Sequence, residues 1–332
     1  EAERGLTPFV GRDQELRTLV EGFDLARAGH GQVVFLVGEA GIGKSRLLFE
    51  FRRQLGEAAT WIEGQCLAFG HSIAFHPLID LLKRNFRIEE GDSEAAVAEK
   101  IEHYVLRLGE DLRRRVPYLR FLLSVDPGDA GVAAMDPRKR RTEIFDAVWH
   151  LTLRAAEVRP QVIVFEDVHS MDLATKDYLA HVADSLPATR VLLVLAHRPG
   201  FAQPFGDRTY HRRIALTALS TEDTVRMAHA MLHTESLPDE VQALITSKAE
   251  GNPFFVEQIL KTLVETEALR RSDGGYTLTR RLGDIFIPET IQDLIMARID
   301  RLAEMPKKTL QFASVIGREF SRRLLDRLPD LG

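Results

Sequence analysis

The sequence predicts an α/β fold built on a parallel sheet, and three observations predict it. Residues 33–37 form a continuous apolar, β-branched run, as a strand buried on both faces does. GEAGIGKS follows at once, from Gly38 to Ser45, and matches the phosphate-loop pattern G-x-x-x-x-G-K-[ST]. Two further apolar runs, in QVIVFED (161–167) and RVLLVLA (190–196), have the length of buried strands, with helical spacing between them. Chemistry-bearing residues close all three: the glycine loop, the acids Glu166 and Asp167, and Arg198. Open α/β sheets bind ligands at the carboxyl ends of their strands, so these groups are expected to converge.

Composition narrows the class. The chain has 332 residues, 45% apolar and 28% charged, with a formal net charge of -5. That is an ordinary globular balance, and nothing in it points to direct binding of nucleic acid or a membrane surface. A single cysteine, Cys66, excludes an intramolecular disulfide and a structural zinc site built on thiolates. With no signal-peptide pattern and no membrane-length apolar run, a cytoplasmic location is expected. The chain begins at Glu1 and stops at Leu331-Gly332 in mid-pattern, as a piece of a longer protein would.

Taken in order, TPFVGRD (7–13) allows a turn at Gly11 and an N-cap at Asp13, ahead of a helix carrying Leu16, Leu19, Val20 and Phe23. After the first strand and its loop, residues 45–55 place Leu47, Leu48, Phe51 and Leu55 at helical spacing. A second strand is expected over 60–66. His71 and His76 then lie in a loop with too few partners for a metal site. Helices are expected over 77–86, 93–108 and 111–123, a flexible connector over 124–137, and a helix to about residue 158. That helix opens on Arg138-Lys139-Arg140-Arg141, read as a solvated face ahead of one that meets a phosphate or a partner. A helix over 173–185 precedes the strand that ends before His197-Arg198, and residues 213–216 make one more short strand. From residue 220 the pattern turns helical: 220–233, 238–249, and about 253–269 after the breaker Gly251-Asn252-Pro253, with Pro253 suited to a first helical turn. Asp273-Gly274-Gly275 marks a hairpin, and 288–302, 307–316 and 320–328 are helical again.

The loop and the acids carry a definite chemistry. Gly38, Gly41 and Gly43 let the backbone turn tightly and approach a ligand. Amides at a helix N-terminus then face a polyphosphate. Lys44 would reach the β- and γ-phosphates, and the Ser45 hydroxyl would bind Mg²⁺. An acid at the end of the next buried strand holds Mg²⁺, and its neighbour can orient or deprotonate the attacking water. Alternation along a strand would point Glu166 and Asp167 to opposite sides. Arg198 either senses a γ-phosphate or pairs with a surface acid.

Together these motifs resemble the STAND class of signal-transduction ATPases, relatives of the AAA+ proteins, over about residues 7–328. They are most similar to the ATPase modules of multidomain bacterial cyclases and of maltose-regulator-type transcription activators. The resemblance implies a P-loop NTPase core (1–217), an α-helical lid with a small hairpin (218–284) and the start of a winged-helix region (285–332). TPFVGRD resembles the adenine-pocket motif, which implies base contacts from Val10, Gly11 and Arg12. GEAGIGKSRL resembles the phosphate loop and implies nucleotide contacts from Gly38, Glu39, Ala40, Gly41, Ile42, Gly43, Lys44, Ser45 and Arg46. VIVFEDVHSMD resembles the metal-binding strand, with Ser45, Glu166 and Asp167 at Mg²⁺ and Glu166, Asp167, Lys44 and Arg198 in catalysis. EGNPFFVEQIL resembles the lid motif, with Asn252 and Pro253 at the nucleotide, and IPETIQDLIMARIDRL resembles the start of the winged helix. ATP or ADP with Mg²⁺ is the implied ligand. An effector domain (a cyclase or a DNA-binding domain), C-terminal helical repeats and nucleotide-dependent self-association are the implied partners. Glu166 stands where the family often has Asp, and Ser170 where Trp is common. A nucleotide-bound scaffold without turnover and a AAA+ remodelling ATPase stay open as alternatives.

Overall fold

The computed structural model describes residues 7–66, 74–202, 206–272, 275–281, 296, 299–300 and 302–316. It divides into two compact units, one spanning Phe9–Ala218 and the other taking the chain up to Pro8 and from Leu219 onward.

The first unit is organised by five strands: β1 (Gln32–Val37), β2 (Thr60–Gln65), β3 (Gln161–Glu166), β4 (Val191–His197) and β5 (His211–Ala215). They form one sheet in the order β2-β3-β4-β1-β5, and every pairing is parallel. The order explains the composition of each strand. β1, β3 and β4 are central and almost wholly buried, so both faces demand apolar side chains. β2 and β5 are the edges and carry Trp61, Glu63, His211 and Arg213 among their apolar residues.

Alternation along β1 splits the core in two. Val34 and Leu36, with Val164 and Val194, meet Leu19 and Phe23 of α1 (Asp13–Arg27) and Leu47 and Phe51 of α2 (Lys44–Leu55). Val33 and Phe35, with Ile163, Leu193 and Leu195, face the larger layer. That layer holds α3 (His76–Asn85), α4 (Glu94–Leu108), α5 (Val116–Leu122), the five-residue α6 (Ala130–Ala134), α7 (Pro137–Val158) and α8 (Leu173–Ser185).

Several expectations are corrected. Asp13 is the first helical residue of α1 and Arg12 takes the N-cap position; Asp13 and Glu15 place negative charge in the first turn, where the helix dipole favours it. His76 opens α3 instead of lying in a loop, whereas 67–73, with His71, lie outside the described residues. The helix expected over 111–123 is a 3₁₀ turn over Glu110–Arg115 followed by α5, because Pro117 needs a first-turn position. The connector over 124–137 contains α6, capped by Asp129, whose side chain accepts from the Gly131 amide. The basic run is only partly solvated. Arg140 donates to the carbonyls of Val132 and Ala133 at 3.2 and 2.9 Å and lies over the Phe121 ring, and Arg141 pairs with Asp177 at 2.9 Å.

The second unit holds α9 (Thr221–Leu232), α10 (Asp239–Ala249) and α11 (Pro253–Glu265), then the antiparallel pair β6 (Leu269–Ser272) and β7 (Gly275–Leu278), and α12 (Glu304–Ile316). Ser220 caps α9 by accepting from the Asp223 amide at 3.0 Å. α11 ends four residues before Leu269, since that residue begins β6. Most of 288–302 and all of 320–328 lie outside the described residues, and so does most of the region expected to be a winged helix.

Candidate functional site

Strand β1 delivers the chain to Gly38, and the loop over Gly38–Gly43 passes into α2 at Lys44. Two of its glycines sit in the left-handed region, Gly41 at φ 78° and Gly43 at φ 104°, where a side chain is strained. Gly38 is needed for another reason: a Cβ there would stand 2.6 Å from Ile42 Cγ2 and 3.2 Å from Leu216 Cβ. The loop starts against β4, with the Gly38 amide donating to the His197 carbonyl at 3.1 Å.

Lys44 folds back on this loop, and its Nζ donates to the carbonyls of Gly38 at 2.8 Å and Glu39 at 3.0 Å. Burial lowers its pKa, Asp167 pulls it back up, and Arg198 pushes it further down. Arg198, just beyond β4, therefore lies within electrostatic reach of Lys44. The Ser45 hydroxyl, in the first turn of α2, donates to Glu166 Oε2 at the end of β3. The phosphate loop and the acidic strand end thus form one site, from segments 121 residues apart.

Glu166 is held in an acidic setting. Burial raises its pKa, Glu63 and Asp167 raise it further, and the Ser45 hydrogen bond opposes them. Asp167 is not on the strand at all. It turns into the left-handed region at φ 54°, ψ 39°, so β alternation does not set its direction. Three hard oxygen donors, from Ser45, Glu166 and Asp167, fit a magnesium ion in chemical type.

Three further residues belong to this end of the sheet and have no place in the sequence-based site. Glu63 lies on β2, where Gln65 pairs with Glu166 and Glu63 with Val164, so it shares the face of Glu166. Only the pairing of β2 with β3 makes it a neighbour. His169 feels Asp167, Arg198 and Lys44, and burial lowers its pKa. The His of FEDVHSMD was its signal. Asp172, 3% exposed, caps α8: Oδ1 accepts from the amides of Thr175 and Phe75, both at 2.9 Å, and Oδ2 from the Thr175 hydroxyl at 2.6 Å. Asp ahead of an apolar-periodic run is a readable N-cap signal. Asp172→Ala strands these buried donors, and it should cost about 2–4 kcal/mol in urea unfolding.

The remaining expected site residues fall in three places. Phe9 packs on the α1–α2 core, with Val10 and Gly11 (φ 69°) following it. Arg12 is buried, with its guanidinium hydrogen-bonded inside the unit. Arg46 holds Glu50 at 2.8 Å and lies over the rings of Phe9 and Phe49. Asn252 and Pro253 belong to the second unit. Asn252 caps α11 by accepting from the Phe254 amide at 3.1 Å, with Pro253 as the first helical residue.

Comparisons with known proteins bear on this site. An uncharacterized protein of Rhizobium meliloti is 30% identical over 338 residues, covering 98% of this chain but 31% of that protein, so the chain spans about a third of that relative. Among solved structures, a STAND protein with a tetratricopeptide repeat sensor from Pyrococcus horikoshii has 16% identity and a TM-score of 0.48, over 98% of this chain and 38% of that one. The Walker-type ATPase of Pyrococcus abyssi has 14% identity and a TM-score of 0.48, over 95% and 86%. Cdc6p from Pyrobaculum aerophilum has 14% identity and the same score, over 80% and 64%. Likeness at this level carries no argument about activity. The AAA ATPase domain, in contrast, matches over residues 8–195. That stretch is more than half of the chain and takes in both the phosphate loop and the acidic strand end: the chain belongs to the AAA ATPase domain family.

Proposed function

We propose that this chain is the ATP-binding, slowly hydrolysing switch module of a larger STAND-class signalling protein. One observation carries the reading: Ser45 of the phosphate loop and Glu166 of the acidic strand end share a hydrogen bond, as a common Mg²⁺–phosphate site requires. Lys44 would leave its two loop carbonyls for phosphate oxygens, and Arg198 would add positive potential beside it. Ser45, Glu166 and Asp167 would hold Mg²⁺, which when bound neutralises charge on the phosphates. Water attacks the γ-phosphorus, the bond to the β-phosphate oxygen breaks, and a carboxylate of the acidic pair takes the water proton. ADP and phosphate leave.

In this reading the core is 1–217, the lid 218–284 and a winged-helix region begins at 285. Val10 and Gly11 of the core contact the nucleotide. ADP favours a closed form, and ATP an open form that self-associates. The effector domain and C-terminal repeats lie elsewhere in the same cytoplasmic protein. Limited trypsin digestion tests the switch: ADP-loaded and ATPγS-loaded chains should give different fragment patterns. Identical patterns with both nucleotides demonstrably bound would contradict it. They would favour the second reading, a nucleotide-stabilised scaffold without turnover. The observation behind that reading is Glu166, which stands where the family often has Asp.

A further inference from the structure

Arg12 is 6% exposed, and its guanidinium is committed on both arms. Nη2 donates to the Thr217 carbonyl at 2.5 Å and lies 3.5 Å from the Ile42 carbonyl; Nη1 donates to Glu15 Oε1 at 3.1 Å. These acceptors come from three segments: the strap directly after β5, the tip of the phosphate loop, and the first turn of α1. The strap is fastened to the start of the loop as well. The Leu216 amide donates to the Val37 carbonyl at 2.7 Å, and Leu216 packs where Gly38 has no Cβ. Residues 216–217 therefore grip the loop at both ends, at Gly38 by direct packing and at Ile42 through Arg12.

The peptide bond makes the second grip consequential. In a planar trans peptide the carbonyl of one residue and the amide of the next point in opposite directions. A group that holds the Ile42 carbonyl thereby sets the direction of the Gly43 amide, at the end of the loop that would face phosphate. A planar fork with five donors can bridge carbonyls and a carboxylate at once, which a lysine ammonium does not do in the same geometry.

We propose that Arg12 is a positioning residue that clamps the phosphate loop in its binding shape, and that it does not read the base. This rests on the reading that the loop binds nucleotide phosphates. The resemblance to the adenine-pocket motif offers base contact instead, and the two roles separate cleanly. Arg12→Met and Arg12→Lys are titrated calorimetrically with ADP and with inorganic tripolyphosphate, which has no base. Amide hydrogen exchange over 38–45 is followed in the ligand-free proteins, with β3 amides as the internal reference. The clamp predicts that both ligands weaken by the same factor, about tenfold or more, and that exchange in the loop accelerates while β3 does not change. Glu15→Gln, which loosens the guanidinium without emptying its place, gives the same pattern at smaller amplitude. Loss of ADP affinity with tripolyphosphate binding kept would overturn the clamp in favour of base contact, and so would unchanged loop exchange. If the wild-type chain binds neither ligand, the nucleotide reading fails, while the ligand-free exchange still decides the clamp.

Discussion

Lys44→Ala should lower the affinity of the chain for ATP by about 100-fold, close to 2.8 kcal/mol, with the fold intact. The size follows from the setting. Lys44 projects from the first turn of α2 and bonds only the carbonyls of Gly38 and Glu39 among the described residues. Alanine is a good helix residue at that position, so the helix loses nothing. What goes is a partly desolvated ammonium, where a charge-assisted bond to phosphate is worth more than in water. Fluorescence titration with a labelled ATP analogue measures it, beside far-UV circular dichroism. Wild-type affinity in the variant would mean that the nucleotide, if bound, lies elsewhere.

The second large effect is expected at Glu166. Glu166→Gln should slow single-turnover hydrolysis by about 100-fold or more, while ATP affinity changes only a few-fold. Glutamine keeps a side-chain oxygen for the Ser45 hydroxyl, so the link between α2 and β3 survives. The charge is what disappears, and with it a ligand for Mg²⁺ and a proton acceptor. Quenched-flow separation of bound ATP and ADP reads the rate directly. Equal rates in variant and wild type would pass the chemistry to Asp167, which sits in the left-handed turn at the strand end.

How much of this was legible in the sequence depended on whether the cause was local. β1, β3 and β4 could be read because burial on both faces leaves an unbroken apolar run. β5 was harder: as an edge strand it reads HRRIA, and its start came out two residues late. The phosphate loop was legible because its glycines, lysine and serine all fall within the single stretch from Gly38 to Ser45. The expectation that Glu166 and Asp167 point to opposite sides rests on strand alternation, which does not apply once Asp167 leaves the strand. Glu63 and Arg12 show the limit. Glu63 becomes a neighbour of Glu166 only through the β2–β3 register. Arg12 reaches a carbonyl 205 residues away, and no local pattern carries that information.

The measurement closest to the central claim is phosphate release from the ATP-loaded wild-type chain in a single turnover, with and without Mg²⁺. An ATPase switch predicts slow, Mg²⁺-dependent conversion of bound ATP to ADP and phosphate, stopped by chelation and nearly absent in Glu166→Gln. ATP that is demonstrably bound and stays intact over hours in Mg²⁺ would contradict it.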